Sequence, residues 1–437
     1  RGRGLSCSHG FVERIATLPP GAFGDDRIRD PVRDRELVRD EPTPPDRAEE
    51  GQPGRGRVME VARVFLRLGV IGFGGPAAHV ALLREDVVVR RRWVTEREFM
   101  DAFGAVSLLP GPSSTQLGLL LGRRRAGIPG LVTAGICFIS PAMLLSLGLA
   151  YLYVRYGSTP SGEALLYGIK PVVVAIVAQA VWQLGRTTLR AWLESAVAIL
   201  AIVAYFLGTP VLLVLLGGAL AVSLARNRHR LLGGTGGSGS ALSLNPSFLG
   251  VLGVLGAAVL AGGPTLPAIF LEFLKIGAVV FGSGYALLAF LRTDLVVRSN
   301  WLTEQQLLDA VSIGQFTPGP VFSTATFIGY LLGGVPGALL ATLGIFLPSF
   351  LMVGALTPFL PRVRRSPWTA SAMDGVNAAV IGVIAGVTVQ LARGALIDVL
   401  TVVISLVALA VSLRWRINSA WLIAAGAGIG LLHSMVG

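Results

Sequence analysis

Cysteine, histidine and charge are all scarce in this sequence, and each scarcity excludes something. Two cysteines in 437 residues, Cys7 in a polar tail and Cys137 inside an apolar run, leave no disulfide framework and no thiolate cluster. The four histidines, His9, His79, His229 and His433, are scattered without metal-ligand spacing, so neither a metal nor a cofactor is expected. Charged residues make up only 14% of the chain, against roughly 25% in soluble domains. No glycine-rich stretch runs into Gly-Lys-Ser, which excludes a phosphate-binding loop. No paired acid and base faces one cavity on paper, so an enzyme is not expected.

Apolar sequence is what the chain has in abundance. Hydrophobic residues account for 53% and the mean hydropathy is +0.68. From residue 58 onward, runs long enough to cross a bilayer follow one another with short breaks. The expected fold class is an all-α polytopic membrane protein. About thirteen spans are expected by length, near 58–82, 99–121, 128–153, 163–182, 191–207, 210–225, 247–262, 268–290, 304–329, 336–360, 370–392, 395–413 and 417–435. The net charge of +12 comes mainly from arginines in short loops, which read as topology determinants and not as a nucleic-acid surface.

Residues 1–57 are polar, lack periodicity and read as a disordered tail without a secretory h-region. The first residue is not Met, and the start is expected to be processed, truncated or misassigned. Residues 226–246 read as a flexible Gly/Ser linker.

The chain repeats itself. Phe65-Leu66-Arg67-Leu68-Gly69 matches Phe273-Leu274-Lys275-Ile276-Gly277, and Trp93-Val94-Thr95-Glu96 matches Trp301-Leu302-Thr303-Glu304. Over 65–112 against 273–320, 21 of 48 positions are identical, at an offset of 208 that becomes 207 further on. Residues 58–225 and 263–437 are thus two six-span repeats, with 247–262 left as an unpaired span. An odd span between equal halves turns the second upside down, and the loop charges agree. Arg123, Arg124 and Arg125 have the uncharged Leu331-Leu332-Gly333 as their counterpart, whereas the loop holding only Arg155 has Arg362, Arg364 and Arg365. The N-terminus is expected in the cytoplasm and the C-terminus outside. Arg84, Arg90, Arg91 and Arg92 break the pattern unless they lie along the interface or the following segment re-enters.

Each half carries a break that no helix continues through: Pro110-Gly111-Pro112, then Ser113, Ser114 and Thr115; and Pro318-Gly319-Pro320, then Val321, Phe322, Ser323 and Thr324. A helix restarting after such a break points free N–H groups and its positive dipole end forward, which suits an anion. The competing reading is a proline kink with its hydroxyls bonded to their own helix. A second pair of breaks, Gly72-Phe73-Gly74-Gly75-Pro76 and Phe281-Gly282-Ser283-Gly284, could face the same site or merely mark helix crossings. Lys170, with Asn377 as its counterpart, is costly inside an apolar run and is either an anion's counter-charge or a snorkelling side chain. Arg67 and Lys275 are anion attractors or partners of Glu60 and Glu272. Asp101 and Asp309 are dipole-complementing acids or proton carriers.

The ordered set Phe73-Gly74-Gly75-Pro76, Trp93-Val94-Thr95-Glu96 and Pro110-Gly111-Pro112, present again in the second half, resembles the long-chain chromate transporter (CHR) superfamily of bacteria over residues 58–435. The resemblance implies an inner-membrane carrier that exports chromate, driven by the proton motive force, and so confers resistance. Sulfate, a tetrahedral dianion of nearly the same shape, is the alternative substrate; a membrane scaffold or enzyme is a more distant reading. The partners expected are the dianion, the lipid bilayer and, for assembly, a second copy of the chain.

Overall fold

Glycine and proline decide where the apolar runs stop being helix. The computed structural model describes residues 54–73, 75–232, 263–281, 284–356, 367–415 and 417–436. The tail to residue 53, the stretch 233–246, the unpaired run 247–262, the loop with Arg362, Arg364 and Arg365, and Gly74, Gly282 and Ser283 lie outside the described residues.

Every regular element among the described residues is a helix. The first seven are α1 (Arg55–Ile71), α2 (Gly75–Arg84, prolonged as a π-helix over Glu85–Arg90), α3 (Glu96–Val106), α4 (Ser113–Tyr156), α5 (Pro160–Thr188), α6 (Trp192–Phe206) and α7 (Val211–Leu232). Then come α8 (Leu266–Val279), α9 (Ala286–Leu291, with a π-helix over Arg292–Arg298), α10 (Glu304–Phe316), a 3-10 turn (Val321–Ser323), α11 (Thr324–Leu356), α12 (Pro367–Ala395), α13 (Val399–Arg414) and α14 (Ser419–Val436). Among the described residues five stretches are long and apolar enough to cross a membrane: Ser113–Tyr156, Pro160–Thr188, Val211–Arg228, Val321–Ala355 and Trp368–Ala395. The protein is a helical, multi-pass membrane protein.

Four of the expected spans are not single helices. The run 58–82 divides at Gly72 into α1 and α2, which return antiparallel: Arg67 meets Asp86 at 3.5 Å, and the Trp93 indole N–H donates to Glu60 at 3.0 Å. The run 99–121 divides at Pro110-Gly111-Pro112. There Arg124, late in the first arm of α4, donates to the Glu98 carbonyl at the start of α3, 3.3 Å away. Both runs are therefore hairpins whose tips point into the protein. The runs 268–290 and 304–329 do the same, with Lys275 reaching Asp294 at 3.1 Å and Gly314 lying against Thr324 across Pro318-Gly319-Pro320.

Local chemistry sets these hairpins in both halves. Thr95 with Glu98 and Thr303 with Gln306 form capping boxes that start α3 and α10. Arg92 (φ 53°) and Asn300 (φ 51°) take the left-handed turn before them. Arg84 binds Glu96 at 2.7 Å, and Arg292 binds Glu304. α4 itself reverses at Ala126 and Gly127 (φ 64°), so that a Cβ on Gly122 would sit 2.6 Å from the Gly130 carbonyl oxygen. α11 reverses likewise at Gly333 and Gly334, bringing Gly329 against Gly337.

Packing elsewhere follows the small-residue rule of membrane helices. Gly168 of α5 lies against Gly426 and Gly430 of α14, and Gly375 of α12 against Gly218 of α7. Arg226 ties Glu194 and Asp374 together. Two expected boundaries move: Arg226–Leu232 belong to α7 and not to a linker, and Arg55–Arg57 belong to α1 and not to a tail.

Candidate functional site

The hairpin tips of the two halves cross. The Gly111 N–H donates to the carbonyl of Val280, just past α8, at 2.6 Å, and the Gly319 N–H donates to the carbonyl of Gly72, just past α1, at 2.7 Å. Gly72 and Val280 are equivalent positions of the two halves, as are Gly111 and Gly319, so one bond is the counterpart of the other. Only glycine suits the donors: φ is +118° at Gly111 and +91° at Gly319. Each Pro-Gly-Pro also rests on the other half. A Cβ on Gly111 would meet the Ser349 hydroxyl at 2.6 Å, and one on Gly319 would meet Ala142, the equivalent residue, at 3.0 Å.

Between the tips is a cavity of about 10 Å³ bordered by Pro76, His79, Pro112, Ser113, Ser114, Gly284, Pro320, Val321 and Phe322. That is the room of one water molecule. Ser113 is the first residue of α4, and Pro112 before it offers no side-chain cap. The amides of Ser113, Ser114 and Thr115 therefore have no carbonyl acceptor within their own helix.

The structure sorts the hydroxyls expected to bind substrate. Ser113 and Ser114 border the cavity, and Ser114 pairs with His79 Nδ1 at 3.3 Å. Thr115 and Ser323 are buried, and among the described residues their hydroxyls have no hydrogen-bond partner. The Thr324 hydroxyl donates to the Val321 carbonyl at 2.8 Å, the self-satisfied arrangement that the proline-kink reading foresees. Gly75 (φ +76°) opens α2. Gly74, Gly282 and Ser283 lie outside the described residues.

His79 is the residue that the sequence reading missed. Its ring is 2% exposed; Nε2 lies 2.8 Å from the Gly72 carbonyl, which only accepts, so Nε2 carries the proton. One carbonyl thus receives both His79 and Gly319, and the imidazole links the α1–α2 tip to the start of α4. The signal was present: the second half has Leu287 at this position, within the best-matched stretch of the repeat.

Lys170 and Asp309 are brought together, away from the tips. Lys170 Nζ lies 2.9 Å from Asp309 Oδ1, and the Tyr153 hydroxyl donates to Oδ2 at 2.8 Å. All three line a separate cavity of about 700 Å³. At its rim Tyr167 donates to Asp398, whose carboxyl is held below the ordinary range by the Thr401 amide and then by this hydroxyl. Asn377 does not join Lys170, and Asp101 is exposed where Asp309 is buried, so the two halves diverge here. Arg67 is a correction: it pairs with Asp86, while Glu60 is taken by Arg125 at 2.9 Å. Lys275 pairs with Glu272, one of its two expected roles, and also with Asp294. Both cations are occupied by carboxylates and do not face the tip cavity.

A family model described as chromate transporter matches residues 59–222 and 267–431, one block for each set of hairpins. The chain belongs to the chromate transporter family. Within that family it is 32% identical over 397 residues to a chromate transport protein of Cupriavidus metallidurans, covering 90% of this chain and 98% of that one. It is 33% identical to a probable chromate transport protein of Synechococcus elongatus, over 83% of this chain and 91% of the relative. A chromate transport protein of Pseudomonas aeruginosa matches at 32% over 75% and 80%. No solved structure matches the chain. For a member of the chromate transporter family, a site of amide and hydroxyl donors is chemically apt, because such donors read the oxygens of a tetrahedral oxyanion. Among the described residues no group of His, Cys, Asp and Glu is placed to hold a metal ion.

Proposed function

We propose that this protein carries chromate across the bacterial inner membrane by alternating access, binding it where the two Pro-Gly-Pro tips cross. The observation that carries the reading is the reciprocal pair of bonds, Gly111 to Val280 and Gly319 to Gly72, which aims two helix starts at one cavity beside His79 and Ser114. A cavity of about 10 Å³ is too small for an oxyanion. The tips part to admit the substrate and close behind it, and the flux is outward, driven by the proton motive force.

An inverted repeat of re-entrant hairpins supports alternating access. The second arm of α4 runs from Gly127, beside the outer ends of the first-half hairpins, to Tyr153, which meets Asp309 near the outer end of α10. The hairpins of the two halves then enter from opposite faces. Arg91 and Arg125 share Glu60 at one end, so the arginines that break the sequence pattern join Arg123 and Arg124 on the cytoplasmic face. The N-terminus is cytoplasmic and the C-terminus lies outside.

Sulfate is the second reading, because donors that recognise oxygens do not discriminate the central atom. Cells expressing the protein are expected to accumulate less radiolabelled chromate, with excess sulfate modifying the effect. Unchanged accumulation despite confirmed membrane insertion overturns the chromate assignment.

A further inference from the structure

The only ion pair that borders the large cavity is the one between Lys170 and Asp309, among the described residues. Their side chains are 12% and 3% exposed, and roughly 10 Å of helix, at 1.5 Å per residue, separates Asp309 from Phe316 just before the second tip. Lys170 comes from α5, Asp309 from α10 and Tyr153 from α4. Around the rim are Glu163 and Tyr167 of α5 and Gln305 and Gln306 of α10. Tyr167 stacks on His433 of α14 at 5.2 Å, α12 presents Gly394 beside the exposed Arg393, and α11 brings the uncharged Leu331.

Resting on the oxyanion-transport reading, we propose that this cavity is a second anion subsite, in which the oxyanion takes the place of the Asp309 carboxylate on Lys170 and the displaced Asp309 takes up a proton. Three features carry it. The space of about 700 Å³ holds an oxyanion with part of its water, whereas the tip cavity of about 10 Å³ does not. Lys170 is a compact ammonium whose partner is a single carboxylate, the same charge and the same oxygen donors that an oxyanion presents. A displaced carboxylate left 3% exposed beside a dianion would be a buried like-charge pair, which protonation of one member relieves.

The step balances simply. One Asp309 carboxylate oxygen accepts one proton from cavity water, and Lys170 stays an ammonium throughout. When the anion leaves, Asp309 releases the proton and returns to Lys170; a dianion travelling with one proton keeps a net charge of about −1, so the inside-negative potential, the electrical part of the proton motive force, drives the pair outward. The Tyr153 hydroxyl, which donates to Asp309 Oδ2 in the paired state, remains a neutral donor in either state. A purely structural pair would do none of this.

The test is proton uptake by the detergent-purified full chain in weak buffer, followed with an indicator dye as sulfate or chromate is added. Wild type is expected to take up about one proton per bound anion. Asp309→Asn is expected to take up none and to exchange radiolabelled sulfate in proteoliposomes at a rate that no longer varies with pH; Asp309→Glu restores both. No proton uptake by a wild type that does exchange sulfate overturns the proposal, as does undiminished uptake by Asp309→Asn. Failure of wild type to exchange either anion sinks the transport reading instead. If Asp309→Asn is not recovered as a monodisperse protein, Lys170→Gln/Asp309→Asn removes both charges together. It is expected to slow sulfate exchange about tenfold or more, near 1.4 kcal/mol, and exchange at the wild-type rate overturns Lys170 as the anion's partner.

Discussion

The amide of Gly111 and the carbonyl of Val280, from opposite halves of the chain, are hydrogen-bonded at 2.6 Å. With its counterpart from Gly319 to Gly72 at 2.7 Å, it latches each Pro-Gly-Pro tip to the other half. Buried backbone groups at a break need partners, and here each half satisfies the other.

That latch depends on left-handed backbone at both donors. Gly111→Ala and Gly319→Ala each strain a positive φ, costing about 1–3 kcal/mol, and Gly111→Ala also drives a methyl into Gln116 and Ser349. Both variants are expected to insert, to melt at a lower temperature in detergent, and to lose most chromate flux. Wild-type flux from Gly111→Ala would place the substrate path elsewhere.

His79 and Ser114 make the first half's tip polar where the second half has Leu287 and Phe322. Changing His79→Leu copies the second half and removes two hydrogen bonds, each worth about 0.5–1.5 kcal/mol. Insertion is expected to survive, and flux to fall by about tenfold or more. Ser114→Ala should lower flux in the same direction but by less, because the Gly72 link of His79 remains. Vesicle uptake of labelled chromate measures both, and equal flux in all three proteins would remove the tip from the site.

Lys275 and Arg67 occupy equivalent positions but not equivalent surroundings. Lys275 is 16% exposed between Glu272 and Asp294, so Lys275→Met leaves two buried carboxylates and is expected to cost about 3–5 kcal/mol. Arg67 is half exposed, and Arg67→Ala should cost at most about 1 kcal/mol. Thermal unfolding in detergent compares them; a larger loss from Arg67→Ala would refute this ordering.

The proposed entry of the two sets of hairpins from opposite faces makes a labelling prediction. In a background without Cys7 and Cys137, cysteines at Arg91 and Arg124 should react with an impermeant thiol reagent from one face of the membrane. A cysteine at Ser299 should react only from the other. Labelling of Arg91 and Ser299 from the same face would mean that the halves are not inverted.

Much of this architecture was legible along the chain. Phe65 with Phe273, Trp93 with Trp301, and the two Pro-Gly-Pro breaks announce the duplication, and hydropathy announces the bilayer. The run 58–82 reads as one span because hydropathy sums apolar residues without direction: α1 and α2 fold back at Gly72, yet have the same apolar content as a straight helix. A hydroxyl's type does not reveal its acceptor either: that of Thr324 is the Val321 carbonyl of its own turn. His79 forms no metal-ligand pattern along the chain; its meaning lies in one carbonyl and one hydroxyl brought together by folding.

By itself the sequence determined the helical membrane class and where the helices break, because those follow from composition and from local backbone preference at proline and glycine. Only the tertiary structure decided which groups the breaks would satisfy. Gly111 reaches Val280, Gly319 reaches Gly72, and Lys170 finds Asp309 rather than the residues beside it in sequence. Those partners are set by the packing of helices far apart in the chain, where an unsatisfied amide or a lone charge in hydrocarbon would cost several kcal/mol, roughly the whole margin by which such a fold is stable.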